Sequence, residues 1–286
     1  MKNIKYFIQY ILIISLFLLF KVIGHKNALT LSSKLFSLLG PLFRSKRIIY
    51  SNLTNAFPSF SEFEKNRIIK EMWGNYGRIL AEYIFIKNFR ESKLKQNITI
   101  TGQEILEKIK ESKKPVIFIS GHFNNFELMA MHIDKSGIDL AAIYRPLNNK
   151  YLNTIMEKIR RNYICNKQVK KGIAGTKLLL KYFRNGTSIA LMIDQRVSQG
   201  LRSNFFNKKA STTTIPAQFI KKFKCDVVPI YIERTNNINF KITINKPIKF
   251  SDSSSIEAIT HDLNKILEKM ILENPEQWIW THDRWK

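Results

Sequence analysis

At 286 residues and 44% hydrophobic, the chain is long enough to bury a full core in one domain with an appendage. Its two cysteines, Cys165 and Cys225, exclude a disulfide framework and a four-cysteine zinc site, and the five histidines are too scattered for metal-ligand spacing. A formal net charge of +25 narrows the partners to nucleic acid, anionic membranes or phosphorylated ligands, although part of the excess is also what a lysine-rich proteome would give.

Residues 4–23, IKYFIQYILIISLFLLFKVI, are almost wholly apolar, interrupted only by Lys5, Gln9, Ser15 and Lys21. Lys5 and Lys21 can snorkel from the two ends of a membrane helix, and Tyr6 and Tyr10 suit an interface. A signal peptide is the alternative. The sequence after the apolar core, Lys21-Val-Ile-Gly-His25-Lys26, lacks the small-residue cleavage pattern, which favours an uncleaved single-pass anchor over residues 1–25. Lys2 and Lys5 precede this segment, whereas Lys21, Lys26, Lys34, Arg44, Lys46 and Arg47 follow it, so the main domain is expected on the cytoplasmic side. Residues 31–42, broken by Gly40-Pro41, suit a position lying on a membrane.

Beyond Pro58, Ser61 starts a long helix with Glu62 and Glu64 in its first turn. Ile68, Ile69, Met72, Tyr76, Ile79, Leu80 and Tyr83 form its apolar face, and Gly74 and Gly77 within it indicate close packing. From residue 97 the pattern becomes α/β. Strands are predicted at 97–101, 115–120, 138–144 and 188–193, with a strand pair at 226–233 and 238–244. Helices are predicted at 103–111, 149–163, 173–183, 215–223 and 256–272. The fold class is therefore α/β: a mainly parallel or mixed sheet with helices on both faces, preceded by the anchor helix. Residues 26–286 form one domain, helical and membrane-proximal over 26–95, with the α/β core over 96–286.

The most informative stretch is residues 115–130, PVIFISGHFNNFELMA. An apolar strand breaks at Ser120-Gly121 into His122, and a helical pattern follows. In open α/β sheets this is the edge where ligands gather. His122 and Glu127 are five residues apart, about 500° of ideal helix, so they can meet only if His122 lies in the turn and Glu127 in the first helical turn. Asn124 or Asn125 would then cap the helix. A Glu bonded to one ring nitrogen would fix the tautomer and make the other a general base for a hydroxyl. The same residues also fit a capping box, Asn124-x-x-Glu127, which needs no catalysis.

Two further strand ends carry polar groups: Tyr144 leads into Arg145-Pro146, and Ile193 into Asp194-Gln195-Arg196. In neighbouring parallel strands all three ends would share one edge. Arg145 suits a phosphate or carboxylate there, and Asp194 could orient Arg145 or a hydroxyl; surface salt bridges are the plain alternative. Residues 145–209 carry 15 Lys/Arg against only Glu157 and Asp194 as acids. No nucleic-acid-binding motif accompanies them, so no nucleic-acid partner is expected.

Together these blocks resemble the lipid A biosynthesis lauroyl/myristoyl acyltransferases, which use acyl carrier protein. Gly121-His122-Phe123-x-Asn125-x-Glu127 is similar to the family's His-x4-acid block, Tyr144-Arg145-Pro146 to its Arg-Pro block and Asp194-Gln195 to its Asp-Gln block. Phe205-Phe206 with Ala210 and Thr212, Asn52-Leu53 with Phe57-Pro58, and the closing Trp278, Trp280 and Arg284 continue the resemblance in order. Asn124 stands where Gly is usual, Phe126 where Trp is usual, and Asn207 where Gly usually follows the two Phe.

The resemblance implies acyl transfer from an acyl-carrier-protein thioester to a hydroxyl of an acylated, phosphorylated glucosamine disaccharide, at the bacterial inner membrane. His122 would be the base and Glu127 its orienting partner. Arg145, Asp194, Gln195, Arg196 and Asn125 would bind substrate. No cofactor or metal is expected beyond the acyl-carrier-protein donor, whose acidity suits the basic stretch. The alternatives are an acyltransferase for a mannoside or glycerophospholipid acceptor, or a noncatalytic basic membrane-bound protein.

Overall fold

The computed structural model describes residues 2–286. α1 (Lys2–Ile23) and α2 (His25–Leu39) meet at Gly24, whose φ of 79° lies in the left-handed region and ends the first helix. α3 (Lys46–Ala56) and α4 (Glu62–Glu82) follow. α4 starts with a capping box: Ser61 accepts from the Glu64 N–H at 3.3 Å, and the Glu64 carboxylate accepts from the Ser61 N–H at 2.7 Å. A methyl group on Gly77 would run into the Ser32 carbonyl, and one on Gly74 would press on the Ser33 and Ser37 hydroxyls. These glycines therefore let α2 and α4 approach closely. Residues 31–42, expected to lie on a membrane, give Ser32 and Ser33 to this contact while Leu38 and Leu42 stay exposed. α5 (Ile86–Glu91) completes the helical part.

The α/β core then runs β1 (Ile98–Thr101), α6 (Gln103–Ser112), β2 (Ile117–Ser120), α7 (Glu127–Lys135), β3 (Leu140–Tyr144) and α8 (Lys150–Tyr163). It continues through β4 (Lys167–Lys170), α9 (Ile173–Arg184), β5 (Ser188–Met192), β6 (Leu201–Phe205), β7 (Lys208–Thr212) and α10 (Ile215–Phe223). It closes with β8 (Val227–Thr235), β9 (Asn239–Ile244) and α11 (Ile256–Glu273). Seven strands form one sheet in the order β1-β9-β8-β2-β5-β3-β4. β8, β2, β5, β3 and β4 run parallel, and β9 reverses against β8, so the sheet is mixed but mainly parallel, with helices around it. β2 is its middle strand and all four of its residues are buried, as an unbroken apolar run requires in a covered parallel sheet.

Two features carry no clear signal in the sequence. β4 reads Lys-Gln-Val-Lys and forms a sheet edge, where lysines discourage pairing with another chain. β6 and β7 form a separate hairpin, with Phe205 opposite Lys208 across a two-residue loop. Phe206 and Asn207 in that loop have φ of 49° and 58°, the primed-turn geometry that matches strand twist. Asn207 takes the left-handed conformation its side chain tolerates, which explains how it stands in for Gly.

Candidate active site

The register of β2 on β5 sets the centre of the site. Ser120 lies opposite Met192, so two residues further along each parallel strand His122 and Asp194 come side by side. The Asp194 carboxylate is fully buried and has three donors. Oδ1 meets His122 Nδ1 at 2.7 Å, while Oδ2 accepts from the His122 backbone N–H at 2.7 Å and from Trp278 Nε1 at 2.9 Å. Burial pushes the Asp194 carboxyl up, but the facing imidazole and these hydrogen bonds outweigh it and hold the group below its ordinary value. An ionised carboxylate only accepts, so Nδ1 carries the imidazole proton and Nε2 the lone pair. Nε2 has no protein partner among the described residues, and 21% of the side chain is exposed. The ring is steadied by Phe126, edge-on at 4.8 Å.

Glu127 is not the partner of His122. It opens α7, but its Oε1 accepts from Arg160 Nε at 2.8 Å, from Arg160 Nη2 at 2.5 Å and from the Tyr83 hydroxyl. The reason is positional: Asp194 already fills the Nδ1 side of the imidazole, while the first turn of α7 aims Glu127 at Tyr83, just past α4, and at Arg160 on α8. Burial lowers the Arg160 pKa, but the Glu127 charge, Tyr83 and the hydrogen bonds to both together outweigh it, so the guanidinium is held more firmly protonated than usual. Burial, then the Glu127 charge, pushes the Tyr83 hydroxyl well up and keeps it a donor.

The expected caps are also absent. Phe126 precedes α7 without a side-chain cap, and Asn124, at a φ of 43°, and Asn125 both turn inward. Asn124 donates to the Ile232 carbonyl and Gln277, and Asn125 donates to Glu82 at 3.1 Å. Asn125 therefore braces the loop from behind. Glu82 and Arg234 form a buried two-pronged ion pair of 2.5 and 3.0 Å, and Arg234 also donates to Asn75 and stacks on Phe240. Arg234→Met should leave Glu82 buried and unpaired, a loss of about 3–5 kcal/mol. Thermal or denaturant unfolding in detergent would measure it, and an unchanged midpoint would deny the pair any structural role.

Of the other expected substrate-binding residues, Arg145 is exposed at the end of β3 and makes no side-chain hydrogen bond or ion pair among the described residues. Gln195 is half-buried beside Asp194. The Arg196 backbone N–H donates to His282 Nε2 at 2.9 Å, and its side chain reaches the Lys286 carbonyl at 3.1 Å. Asp194 thus orients the histidine, not Arg145. The C-terminal segment contributes more than its composition suggests. Trp278 holds Asp194, Asn52 ties down the Trp280 and His282 carbonyls, and the fully buried Arg284 donates to Ser211 and Thr212.

Next to Tyr83 lies an apolar groove of about 270 Å³ between α1, α2, α4 and α8. Ile13, Phe17, Phe36, Tyr76, Leu80, Tyr83, Met156 and Ile159 line it. Leu147 and Leu152 are shared with a second, polar opening edged by Lys5, Gln9, Asn148 and Asn149. Tyr83 connects this groove to the Glu127–Arg160 cluster.

The model of the bacterial lipid A biosynthesis acyltransferase family matches residues 1–286, the whole chain. The chain belongs to that family. It is an acyltransferase, and the reading as a noncatalytic basic protein falls away. The lipid A biosynthesis lauroyltransferase of Escherichia coli (strain K12) is 23% identical over 85% of this chain and 79% of its own length. The myristoyltransferase of the same strain is 24% identical over 82% and 73%. A lipid A biosynthesis acyltransferase of Haemophilus influenzae is 25% identical over 88% and 81%. Within this family frame, Tyr83 and Arg160 are the site residues that motif spacing missed. Nothing in the sequence just past the C-terminal end of α4 or in the last turn of α8 singles them out.

Proposed function

We propose that this acyltransferase moves a fatty acyl chain from an acyl-carrier-protein thioester to a hydroxyl of a phosphorylated lipid A precursor, on the cytoplasmic side of the bacterial inner membrane, with no cofactor. The observation that carries the chemistry is the 2.7 Å contact between His122 Nδ1 and the buried Asp194 carboxylate. It fixes the tautomer that presents Nε2 as a base. Nε2 takes the proton of the acceptor hydroxyl as its oxygen bonds to the thioester carbonyl carbon. Asp194 stabilises the imidazolium so formed. The C–S bond then breaks, the imidazolium returns the proton, and the carrier leaves as a free thiol. A thioester needs only an activated hydroxyl, so no Ser or Cys nucleophile is required. Glu127 acts one step removed, by holding Arg160 and Tyr83 where the apolar groove begins.

Arg145, at the same sheet edge and with no side-chain partner among the described residues, suits an acceptor phosphate together with nearby lysines. The groove suits the fatty chain, being apolar and bounded by Met156 and Ile159 on α8. Met156→Trp should shorten it and discriminate against the longer of two competing acyl donors by about tenfold or more. Mass spectrometry of the products from a mixed-donor reaction would read the ratio, and an unchanged ratio would place the chain elsewhere. The acceptor is tested by giving the purified protein one acyl-carrier-protein donor and a lipid A precursor, a mannoside or a lysophospholipid in turn. Transfer to the lipid A precursor is expected; transfer only to one of the other two would overturn the proposed acceptor.

A further inference from the structure

By length and composition α1 reads as a membrane span: its 22 residues make about 33 Å, against a hydrocarbon core of about 30 Å. The fold holds it in a way that a span does not allow. One stripe of the helix, Tyr6, Tyr10, Ile13, Phe17 and Phe20, faces the protein along its whole length. Near the N-terminus, Asn149, the N-cap of α8, donates to the Tyr6 carbonyl at 2.8 Å and to Gln9 at 3.3 Å, and Phe7 and Tyr10 pack on Tyr151. At the other end Phe20 is fully buried in the core. The opposite stripe, Ile4, Ile8, Ile11, Leu12, Leu19 and Val22, is exposed.

A helix fastened to its domain at both ends cannot cross a bilayer unless the domain crosses with it. α8, against which α1 is fastened, exposes Lys150, Lys158 and Arg161, and hydrocarbon expels such charges. We propose that α1 lies in the plane of the membrane, its exposed stripe sunk into one leaflet that contains anionic lipid, with both ends of the helix and the domain on the same side. Lys5 and Lys21 sit exposed toward the two ends of the helix, and Lys26, Lys34, Arg44 and Lys46 extend the basic surface beyond it, matching an anionic headgroup layer. Ile13 and Phe17 on the inner side of α1 are also walls of the apolar groove, so this seat brings the groove alongside the leaflet. The inference rests on the membrane setting proposed above, and not on the acceptor or on the roles of His122 and Asp194.

The test uses the full chain with Cys165→Ser and Cys225→Ser, carrying a single cysteine as Asn3→Cys or Ser253→Cys, both at exposed positions. A membrane-impermeant maleimide is added to spheroplasts and to inside-out inner-membrane vesicles. An in-plane helix makes both cysteines react from the same face. If Asn3→Cys reacts only in spheroplasts and Ser253→Cys only in inverted vesicles, α1 spans and the inference is overturned. Reaction of both from the outer face would keep the in-plane helix and overturn the cytoplasmic placement instead. Flotation of the purified chain with vesicles of phosphatidylethanolamine and phosphatidylglycerol checks the membrane setting itself. The wild type should float, and Leu12→Glu with Leu19→Glu should lose most of that binding. A wild type that stays unbound and elutes as a dimer would assign the stripe to a second copy and overturn the inference.

Discussion

His122→Ala should lower kcat/KM for acyl transfer by about 10²–10⁴-fold, the usual contribution of a positioned general base. The protein should fold normally. The imidazole is partly exposed, so its removal opens no deep cavity, and Asp194 keeps the His122 backbone N–H and Trp278 Nε1 as donors. Initial rates, paired with circular dichroism and vesicle flotation, would separate lost chemistry from lost structure. Wild-type turnover by this variant would remove His122 from the mechanism.

Asp194→Asn is the sharper test, because it preserves shape and changes only the proton. Both existing donors to Oδ2, the His122 N–H and the Trp278 indole, need an acceptor, so the new amide keeps its oxygen there and turns its NH₂ toward Nδ1. Nδ1 must then accept, the ring proton moves to Nε2, and the base is lost. The same exchange in a Ser-His-Asp triad lowers kcat about 10⁴-fold through this switch, and an effect approaching that size is expected here. Nitrogen-15 spectra of the imidazole should show the proton on Nδ1 in the wild type and on Nε2 in Asp194→Asn. Glu127→Gln, which leaves the His122–Asp194 pair untouched and disturbs Arg160 and Tyr83, should keep the wild-type tautomer whatever it does to the rate. Activity of Asp194→Asn within a few-fold of wild type would return the orienting role to another group.

The contrast between Glu127 and Asp194 shows where sequence reasoning stops. The strand ends at Ser120, Tyr144 and Met192 were legible because buried parallel strands are unbroken apolar runs and polar residues gather where they leave the sheet. Those ends correctly mark His122, Arg145 and Asp194 as occupants of one edge. The partner of His122 was not legible from spacing. A pairing of His122 with Glu127 needs only a local turn, whereas the observed pairing crosses 72 residues and depends on strand register. Asn124 and Asn125 illustrate the same limit. Both have the chemistry of helix caps, but the buried Glu82–Arg234 pair and Gln277 draw their amides inward.

The amino-acid order by itself determined the α/β alternation, the placement of the His122 block at a strand end, the unbroken apolar character of residues 4–23 and the strong positive charge. These follow from local periodicity and composition, which need no partner to be read. Tertiary structure alone decided that Asp194 orients His122, that Glu127 serves Arg160 and Tyr83, that Trp278 holds the carboxylate from the far end of the chain, and that α1 is strapped along the domain. Each of these is a contact between segments distant in sequence. A strand register, a helix docking angle and the burial they produce are collective properties of the packed core, and no single stretch of the chain encodes them.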